Sequence, residues 1–501
     1  QLHQQGIEVW IDVVYNHTGE GGLWREKLQY DDAGDFDPHT TTKLVNLDPK
    51  EVVGLYSYRG LDNNAYYALS EDKQTYWNNT GVGNETRCNH KPMRKLILDS
   101  LRYYVEEFHI DGFRFDLAPV LGAKNGDPNT WDDPKNTVLQ DIIDDPVIQE
   151  NNVRIVAEPW ALNGAFVGAF PSSLKRNGFG WGEWNGRFRD WWRAFINDDN
   201  WKLNSREGDG DGGFVMTASD RWYSHNGRKP YHSVNFITVH DGFTLYDVFT
   251  YPHRQNKCGP LNPVCCEQPL SAWCDRDSGE EHNRSRDWGA DANGEAKKRQ
   301  MMRNAFAALL FSHGMPMLYG GDEWMRTQLG NNNAYSTRAD NPFNWFDWGS
   351  WQASDERHRM FDFVSKMTRL RKKHIYAFGP SEYGKGAPFA WKSPQNTDQV
   401  NWSGKALMKH YWDKNSNLDG YEIAILINME NHSIDFRLPE GRNWRRVVDT
   451  QDWFDKDPYL TDQKANRRES QNITLDHEKA EAITTATYGV PSRTIVILEA
   501  K

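Results

Sequence analysis

Three acidic residues, Asp116, Glu158 and Asp241, lie at the end of an apolar segment rich in β-branched and aromatic residues or within two residues beyond it. A carboxylate can act as a nucleophile while a second carboxyl group gives and takes a proton. Such a pair hydrolyses glycosidic bonds, with about 5–5.5 Å between the carboxyl groups when the configuration is retained. The ends of neighbouring strands can supply this separation, so these residue types indicate a glycosidase centre.

Each acid taken alone also has an ordinary structural interpretation. Arg114 and Asp116 lie on the same face of a strand, and a carboxylate beside an arginine stays ionised as a nucleophile must. An isolated Arg-x-Asp is more often a structural ion pair. Glu158 precedes Pro159 and Trp160, and apolar neighbours favour a carboxyl group that carries a proton, although a Glu before Pro is also common in turns. The prediction of a glycosidase centre therefore rests on the carboxylates occurring together, not on any one of them.

Two histidines accompany the carboxylates. His17 follows the first predicted strand and could hydrogen-bond a substrate hydroxyl, while His240 directly precedes Asp241. Asp12 lies within the first predicted strand, so a structural role is favoured for it. Three carboxylates, two histidines and Arg114 thus arrive at four strand ends.

The segments that position these residues alternate between strand and helix. Short apolar runs predict strands, and apolar residues at helical spacing predict the helices between them. This alternation is typical of parallel strands with crossover helices, whose active sites lie at the carboxyl ends of the strands. We expect a (β/α)8 barrel over residues 1–376. The predicted strands are 7–14, 112–117, 153–157, 234–239 and 315–319, and the predicted helices are 93–109, 141–149 and 298–313.

After residue 376 the pattern changes to short strand candidates separated by turns, which predicts an all-β sandwich domain over residues 377–501. These candidates are 389–391, 406–408, 421–427, 433–438 and 493–498.

Composition narrows the class of partner. The net charge is -11 and no Lys/Arg block stands out, which argues against nucleic acid or a membrane surface as a main partner. No apolar run reaches eighteen residues, so no membrane span is expected. Aromatic residues make up 13% of the chain. They serve either as ordinary core or as flat surfaces that stack on sugar rings.

Four cysteines crowd one Pro/Gly-containing loop, namely Cys258, Cys265, Cys266 and Cys274. Two disulfides are favoured over a zinc site, because no Cys-x-x-Cys pair is present. Disulfides would indicate a secreted or periplasmic protein, with a cytoplasmic location as the alternative. We assign no metal site and no cofactor.

Four segments resemble, in order, the four short motifs of the α-amylase superfamily. They are Asp12-Val13-Val14-Tyr15-Asn16-His17, Gly112-Phe113-Arg114-Phe115-Asp116, Ala157-Glu158-Pro159-Trp160 and Val239-His240-Asp241. Further segments resemble the isoamylase-type debranching enzymes of glycoside hydrolase family 13. These are His240-Asp241-Gly242-Phe243-Thr244-Leu245, Gly60-Leu61-Asp62-Asn63, Gly320-Gly321-Asp322-Glu323 and Asn331-Asn332-Asn333-Ala334-Tyr335.

The resemblance implies a role for each candidate residue. Asp116 would be the nucleophile, Glu158 the general acid/base and Asp241 the carboxylate that stabilises the transition state. Arg114 would position Asp116. The remaining candidates would bind substrate, namely His17, His240 and Trp160.

The substrate implied by the resemblance is a branched α-glucan, cleaved at its α-1,6 linkages. The alternatives are an α-1,4-acting amylase or transglycosylase and a non-catalytic glucan-binding subunit. In the family the first motif follows the third barrel strand, whereas here the strand beginning at Ile7 carries it. We therefore expect a barrel that lacks its first two strands, and weak activity of this chain alone.

Overall fold

The protein is described from a computed structural model, which divides it into two compact units. Unit 1 comprises Gln1–Trp184 and Arg221–His232, and unit 2 comprises Asn185–Asp220 and Ser233–Lys501. The residues that the structure describes are 1–18, 57–71, 73, 76–81, 84–124, 127–131, 136–162, 164–208, 210–257, 279–334, 342–413, 418–456 and 467–501.

Unit 1 is built around a parallel sheet in which the neighbouring strands are, in order, β1 (Trp10–Val13), β2 (Gly112–Phe115), β5 (Arg154–Ala157) and β8 (Gly182–Asn185). In chain order its elements are β1 (Trp10–Val13), α1 (Arg59–Tyr66), α2 (Lys91–Phe108), β2 (Gly112–Phe115), β3 (Ala123–Lys124), β4 (Asp127–Trp131), α3 (Val138–Asp144), α4 (Pro146–Glu150), β5 (Arg154–Ala157), β6 (Trp160–Ala161), β7 (Gly164–Ala165) and β8 (Gly182–Asn185).

The register of this sheet places the predicted site residues at one edge. Asp12 pairs with Arg114 across β1 and β2, and Phe115 pairs with Ala157 across β2 and β5. Asp116 and Glu158 each follow directly after these last two paired residues. Because the strands are parallel, both acids leave the sheet at its carboxyl edge.

Helix α2 covers this sheet through an apolar stripe. Its buried side chains recur at helical spacing, and they join Phe113, Phe115 and Ile155 in one core cluster. They are Met93, Ile97, Leu101 and Val105. The helix ends at Phe108, and the capping residue His109 adopts a left-handed conformation (φ 56°) that directs the chain into β2.

The predicted helical segment 141–149 is divided between two short helices. Helix α3 ends at Asp144 and α4 begins at Pro146, with Asp145 between them. The Asp145 side chain accepts hydrogen bonds from the amides of Val147 and Ile148. A proline lacks the amide hydrogen and disfavours helix in the residue before it, so the junction is a cap rather than a helix interior.

Residues 185–378 continue the series of strands and helices. They form α5 (Gly186–Asn197), α6 (Gly212–Met216), α7 (Asp220–Tyr223), β9 (Ser233–Asn235), α8 (Leu245–Val248), α9 (Ala292–Phe311), β10 (Met315–Pro316), α10 (Trp348–Ala353), α11 (Asp355–Lys373) and α12 (Ile375–Phe378). Strands β9 and β10 pair in parallel within unit 2. Both are shorter than the predicted strands 234–239 and 315–319.

The C-terminal part of unit 2 is antiparallel. A six-stranded sheet has the order β11, β12, β13, β18, β15 and β16, and β14 pairs with β17 in a second sheet. Side chains from both sheets share one core cluster that contains Leu426, Phe436 and Leu498. The strands are β11 (Phe389–Lys392), β12 (Ala406–Tyr411), β13 (Glu422–Asn428), β14 (Ile434–Arg437), β15 (Arg445–Asp449), β16 (Glu481–Ala482), β17 (Thr487–Val490) and β18 (Thr494–Ala500).

The fold is thus of the α/β class, with a parallel strand–helix series followed by antiparallel sheets. The predicted domain boundary at 376/377 stays a prediction. The four loop cysteines lie outside the described residues, so the disulfides and the location inferred from them also stay predictions, while Cys88 is buried and free. None of the described helices combines the length and the apolar character needed to traverse a bilayer.

Candidate active site

Arg114 is the centre of the site in unit 1. This buried guanidinium contacts three carboxylates: Nη1 lies 3.1 Å from Asp116 Oδ1, Nη2 lies 2.8 Å from Glu158 Oε2, and Nε lies 3.4 Å from Asp12 Oδ1. One cation therefore holds the predicted nucleophile and the predicted acid/base together. The planar, permanently charged guanidinium can orient several carboxylates at once, which an ammonium group does less well.

Trp184, at the end of β8, packs against the same guanidinium. The Arg114 Cζ atom lies 4.2 Å from the centre of the Trp184 ring, which is a cation–π contact. The Trp160 ring lies 6.1 Å from that of Trp184. Trp184 was not among the predicted site residues. The sequence feature that could have identified Trp184 is its position in Gly180-Trp181-Gly182-Glu183-Trp184, a segment in which glycines stand beside aromatic residues.

The Asp116 carboxylate is held on its other side by Asn16. The Asn16 side-chain amide donates to Asp116 Oδ2 at 3.0 Å and to the Asp116 backbone carbonyl at 2.6 Å. The Asp116 side chain remains 23% exposed, so the carboxylate is oriented but still reachable from solvent. A nucleophile needs both properties.

Glu158 has polar as well as aromatic neighbours. Besides its contact with Arg114, its carboxylate accepts a hydrogen bond from the Leu117 amide at 2.8 Å. Leu117 adopts a left-handed conformation (φ 38°), which is uncommon for a leucine and is typical of strained functional segments. The turn after Asp116 thus aims a backbone donor at the second carboxylate, a feature that side-chain types alone do not indicate.

His17 lies beside this pair of acids, and its Nδ1 atom is 2.5 Å from Asn16 Oδ1. Burial lowers the pKa of His17 below 6.5, and the nearby Asp116 carboxylate opposes this shift without cancelling it. A neutral imidazole can still donate and accept hydrogen bonds. It can therefore contact sugar hydroxyls, as the sequence predicts.

We expect His17 to be neutral at pH 7 and to titrate below pH 6.5 in an NMR titration, with its signals assigned from a His17→Gln variant. Because the folded-state pKa is lowered, the unfolded chain binds the proton more tightly. The stability associated with neutral His17 is complete above pH 6.5 and is lost as the pH falls through the folded pKa. A midpoint at or above 6.5 would contradict the burial described above.

His240 and Asp241 belong to unit 2, where both are exposed. Arg189, on α5, lies close enough to be influenced by Asp241. Burial by itself would lower the pKa of Arg189, but the carboxylates of Asp190, Glu280 and Asp241 raise it. The structure therefore brings Asp116, Glu158, Arg114, His17 and Trp160 into unit 1, while the pairing of Asp241 with the two acids of unit 1 stays a prediction.

Comparisons with known proteins relate the chain to the α-amylase catalytic domain and to isoamylases. Residues 1–157 match the family model for the α-amylase catalytic domain. An isoamylase from Flavobacterium sp is 35% identical over 478 residues, which cover 90% of this chain and 55% of that protein. Isoamylase SU1 from Zea mays is 33% identical (90% and 52% covered), and a glycogen operon protein GlgX homolog from Mycobacterium tuberculosis is 34% identical (89% and 53% covered). The chain spans about half the length of the curated relatives it matches.

Solved structures share the fold. A pullulanase from Bacillus acidopullulyticus aligns with a TM-score of 0.55 at 22% identity, covering 99% of this chain and 47% of that one. The catalytic module of the pneumococcal protein SpuA aligns with a TM-score of 0.58 at 15% identity, covering 100% and 62%. The α/β architecture with C-terminal β sheets is therefore shared with these proteins.

Proposed function

We propose that this chain is an isoamylase-type enzyme of the α-amylase superfamily and that it hydrolyses the α-1,6 branch linkages of glycogen, amylopectin and branched dextrins. Its similarity to the α-amylase catalytic domain and to isoamylases supports this proposal. The observation that carries this proposal is the Arg114 guanidinium, which joins Asp116 and Glu158 at the ends of adjacent parallel strands. Two carboxylates on neighbouring strand ends suit hydrolysis with retention.

In the proposed reaction Asp116 attacks the anomeric carbon while Glu158 donates its proton to the departing 6-oxygen. A covalent glycosyl–Asp116 ester forms and the α-1,6 bond breaks. Glu158, now ionised, takes a proton from water as that water attacks the anomeric carbon and releases Asp116. Asp241 would stabilise the positively charged transition state, and His17, His240 and Trp160 would bind the sugar.

We further propose that the strand–helix series is part of a (β/α)8 barrel and that the antiparallel sheets form a sandwich domain. The placement of charged residues after the carboxyl ends of parallel strands supports the barrel. The apolar cluster shared by the two antiparallel sheets supports the sandwich. The absence of two barrel strands stays a prediction.

The purified protein should release linear chains from amylopectin and leave linear amylose unchanged, as measured by chain-length analysis and by loss of the α-1,6 anomeric NMR signal. The first product detected should be the α-anomer, since two inversions retain the configuration. Cleavage of amylose would favour the α-1,4-acting alternative.

Asp116→Asn should lower the debranching rate on the order of 10⁴-fold or more, because an amide cannot form the covalent intermediate. The control is Asp99→Asn, which removes an exposed carboxylate from an ion pair with Lys95 on α2 and should leave the rate unchanged. Debranching by Asp116→Asn at the normal rate would overturn the mechanism. Binding of glucan without cleavage by the unaltered protein would favour the non-catalytic alternative.

A further inference from the structure

Asp322 is a buried carboxylate that touches both flanks of the segment carrying His240 and Asp241. It accepts a hydrogen bond from the Thr238 hydroxyl, two residues before His240, and another from the Leu245 amide at 2.9 Å, four residues after Asp241. His240 and Asp241 themselves are exposed, whereas Asp322 is 2% exposed. One buried side chain therefore fixes the two ends of the loop whose tip carries the predicted third carboxylate.

A second carboxylate links the same loops in the opposite direction. Asp247, on α8 just beyond Leu245, accepts hydrogen bonds from the Thr327 hydroxyl at 2.5 Å and from the Gln328 amide at 2.8 Å. Residues 327–328 follow Asp322 along the chain. The segment after β9 and the segment after β10 are thus joined by two reciprocal carboxylate contacts. Two such contacts restrict the movement of one loop relative to the other more than a single contact would.

We propose that Asp322 is a positioning residue for the reaction, holding the 238–245 loop so that Asp241 meets the reacting sugar at the correct place. This inference rests on the proposed function, in which Asp241 stabilises the transition state. A displacement of about 1 Å at such a group can cost on the order of 10²-fold in rate. Strand β9 ends at Asn235, so His240 and Asp241 lie beyond the paired part of this segment.

The protonation of Asp322 suits this role. Burial raises its pKa to about 7, and Glu323 acts in the same direction while the Arg326 guanidinium opposes it. Arg193 on α5 is also close enough to interact electrostatically with Asp322. The Thr238 hydroxyl can donate to the ionised carboxylate or accept from the protonated acid, so both contacts persist in either form. An asparagine can make the same pair of contacts through its carbonyl oxygen and its amide.

The test compares Asp322→Ala and Asp322→Asn with a control, Asp449→Ala. Asp449 is an equally buried aspartate of β15, its pKa is raised to about 6 by burial, and it accepts from the Gln451 amide at 2.9 Å. Asp322→Ala should lower kcat for amylopectin about 10²-fold with KM nearly unchanged. Asp449→Ala should lower the melting temperature but keep kcat when both are assayed well below their melting temperatures. Asp322→Asn should restore most of kcat.

Thr238→Val supplies a milder variant that tests the same contact if Asp322→Ala does not fold. It removes one of the two hydrogen bonds, so it should lower kcat by less than Asp322→Ala. Combined with Asp322→Asn, it should add little beyond the larger single effect, because both changes act on one contact.

Equal kcat values for Asp322→Ala and Asp449→Ala would overturn the positioning role, and so would an Asp322→Asn variant as impaired as the alanine. If Asp116→Asn is inactive while the Asp322 variants behave like the unaltered protein, only this inference fails. If Asp116→Asn is fully active, the proposed function itself fails.

Discussion

Glu158→Gln is expected to lower kcat on branched glucan by about 10²- to 10⁴-fold, the usual contribution of a positioned proton donor. The 6-oxygen of a glucosyl unit is a poor leaving group without a proton, and a glutamine cannot supply one. The amide can still accept from the Leu117 N–H, which the carboxylate does at 2.8 Å, so the local backbone should be preserved. The loss should therefore be chemical rather than structural.

An activated substrate separates the role of Glu158 as general acid in the first step from its role as general base in the second. With an α-maltosyl fluoride, fluoride leaves without protonation, so formation of the glycosyl–enzyme should be nearly normal in Glu158→Gln. The second step should remain slow because the general base is missing. Added azide, which needs no base, should then accelerate turnover and yield the α-glycosyl azide.

The control for this experiment is Glu430→Gln. Glu430 lies among the C-terminal strands, where its carboxylate accepts from the Lys405 amide at 2.7 Å, and its replacement should leave kcat on both substrates unchanged. An E158Q protein that debranches amylopectin within about tenfold of the normal rate would show that another group donates the proton.

Arg228→Met is expected to lower the free energy of unfolding by about 3–5 kcal/mol, because it leaves the Glu183 carboxylate charged, buried and without its cation. Both side chains of this ion pair are fully buried. Arg228 also donates to the backbone carbonyls of Trp181 at 3.1 Å and Gly168 at 2.9 Å. Glu183 lies on β8 directly before Trp184, so the pair also supports the strand that carries the ring under Arg114.

Urea denaturation of Arg228→Met, Glu183→Gln and the double variant would measure this pair. The double variant should be less destabilised than the sum of the single variants, because no unpaired charge remains in it. The comparison is Lys95→Met in the exposed Lys95–Asp99 pair on α2, where the expected loss of stability is much smaller because water screens both charges. Strict additivity of the two buried changes would contradict the direct pairing of Arg228 with Glu183.

Local sequence patterns predict the order of most strands and helices, but not the exact residues at which they begin and end. The apolar run before Asp116 and the helical spacing of Ile97, Leu101 and Val105 predict β2 and α2 within a few residues of the observed ends. Strand β8 was missed because Gly182-Glu183-Trp184-Asn185 contains no β-branched residue; its extended conformation comes from pairing with β5. The four residues of β8 do not themselves indicate that this strand will pair with β5.

The candidate catalytic residues could be identified from residue types and their spacing. Asp116, Glu158 and His17 lie at or just beyond the ends of strand-forming segments, and Arg114 lies within one. Side-chain alternation in a strand is enough to place Arg114 and Asp116 on one face. Acid–base chemistry depends on residue type, and residue type is what the sequence states directly. The three carboxylates could therefore be named before any fold was known.

The contacts that hold these groups in place depend on the folded arrangement of the strands. The contact of one guanidinium with two carboxylates depends on the register between β1, β2 and β5. Three further contacts join residues that are far apart in the chain or depend on backbone direction. They are the Trp184 ring against Arg114, the hydrogen bond from the Leu117 amide to Glu158, and the hydrogen bonds of Asp322 to both ends of the Asp241 loop. Such contacts form only when strands pair and bury one another, so no local pattern could specify them.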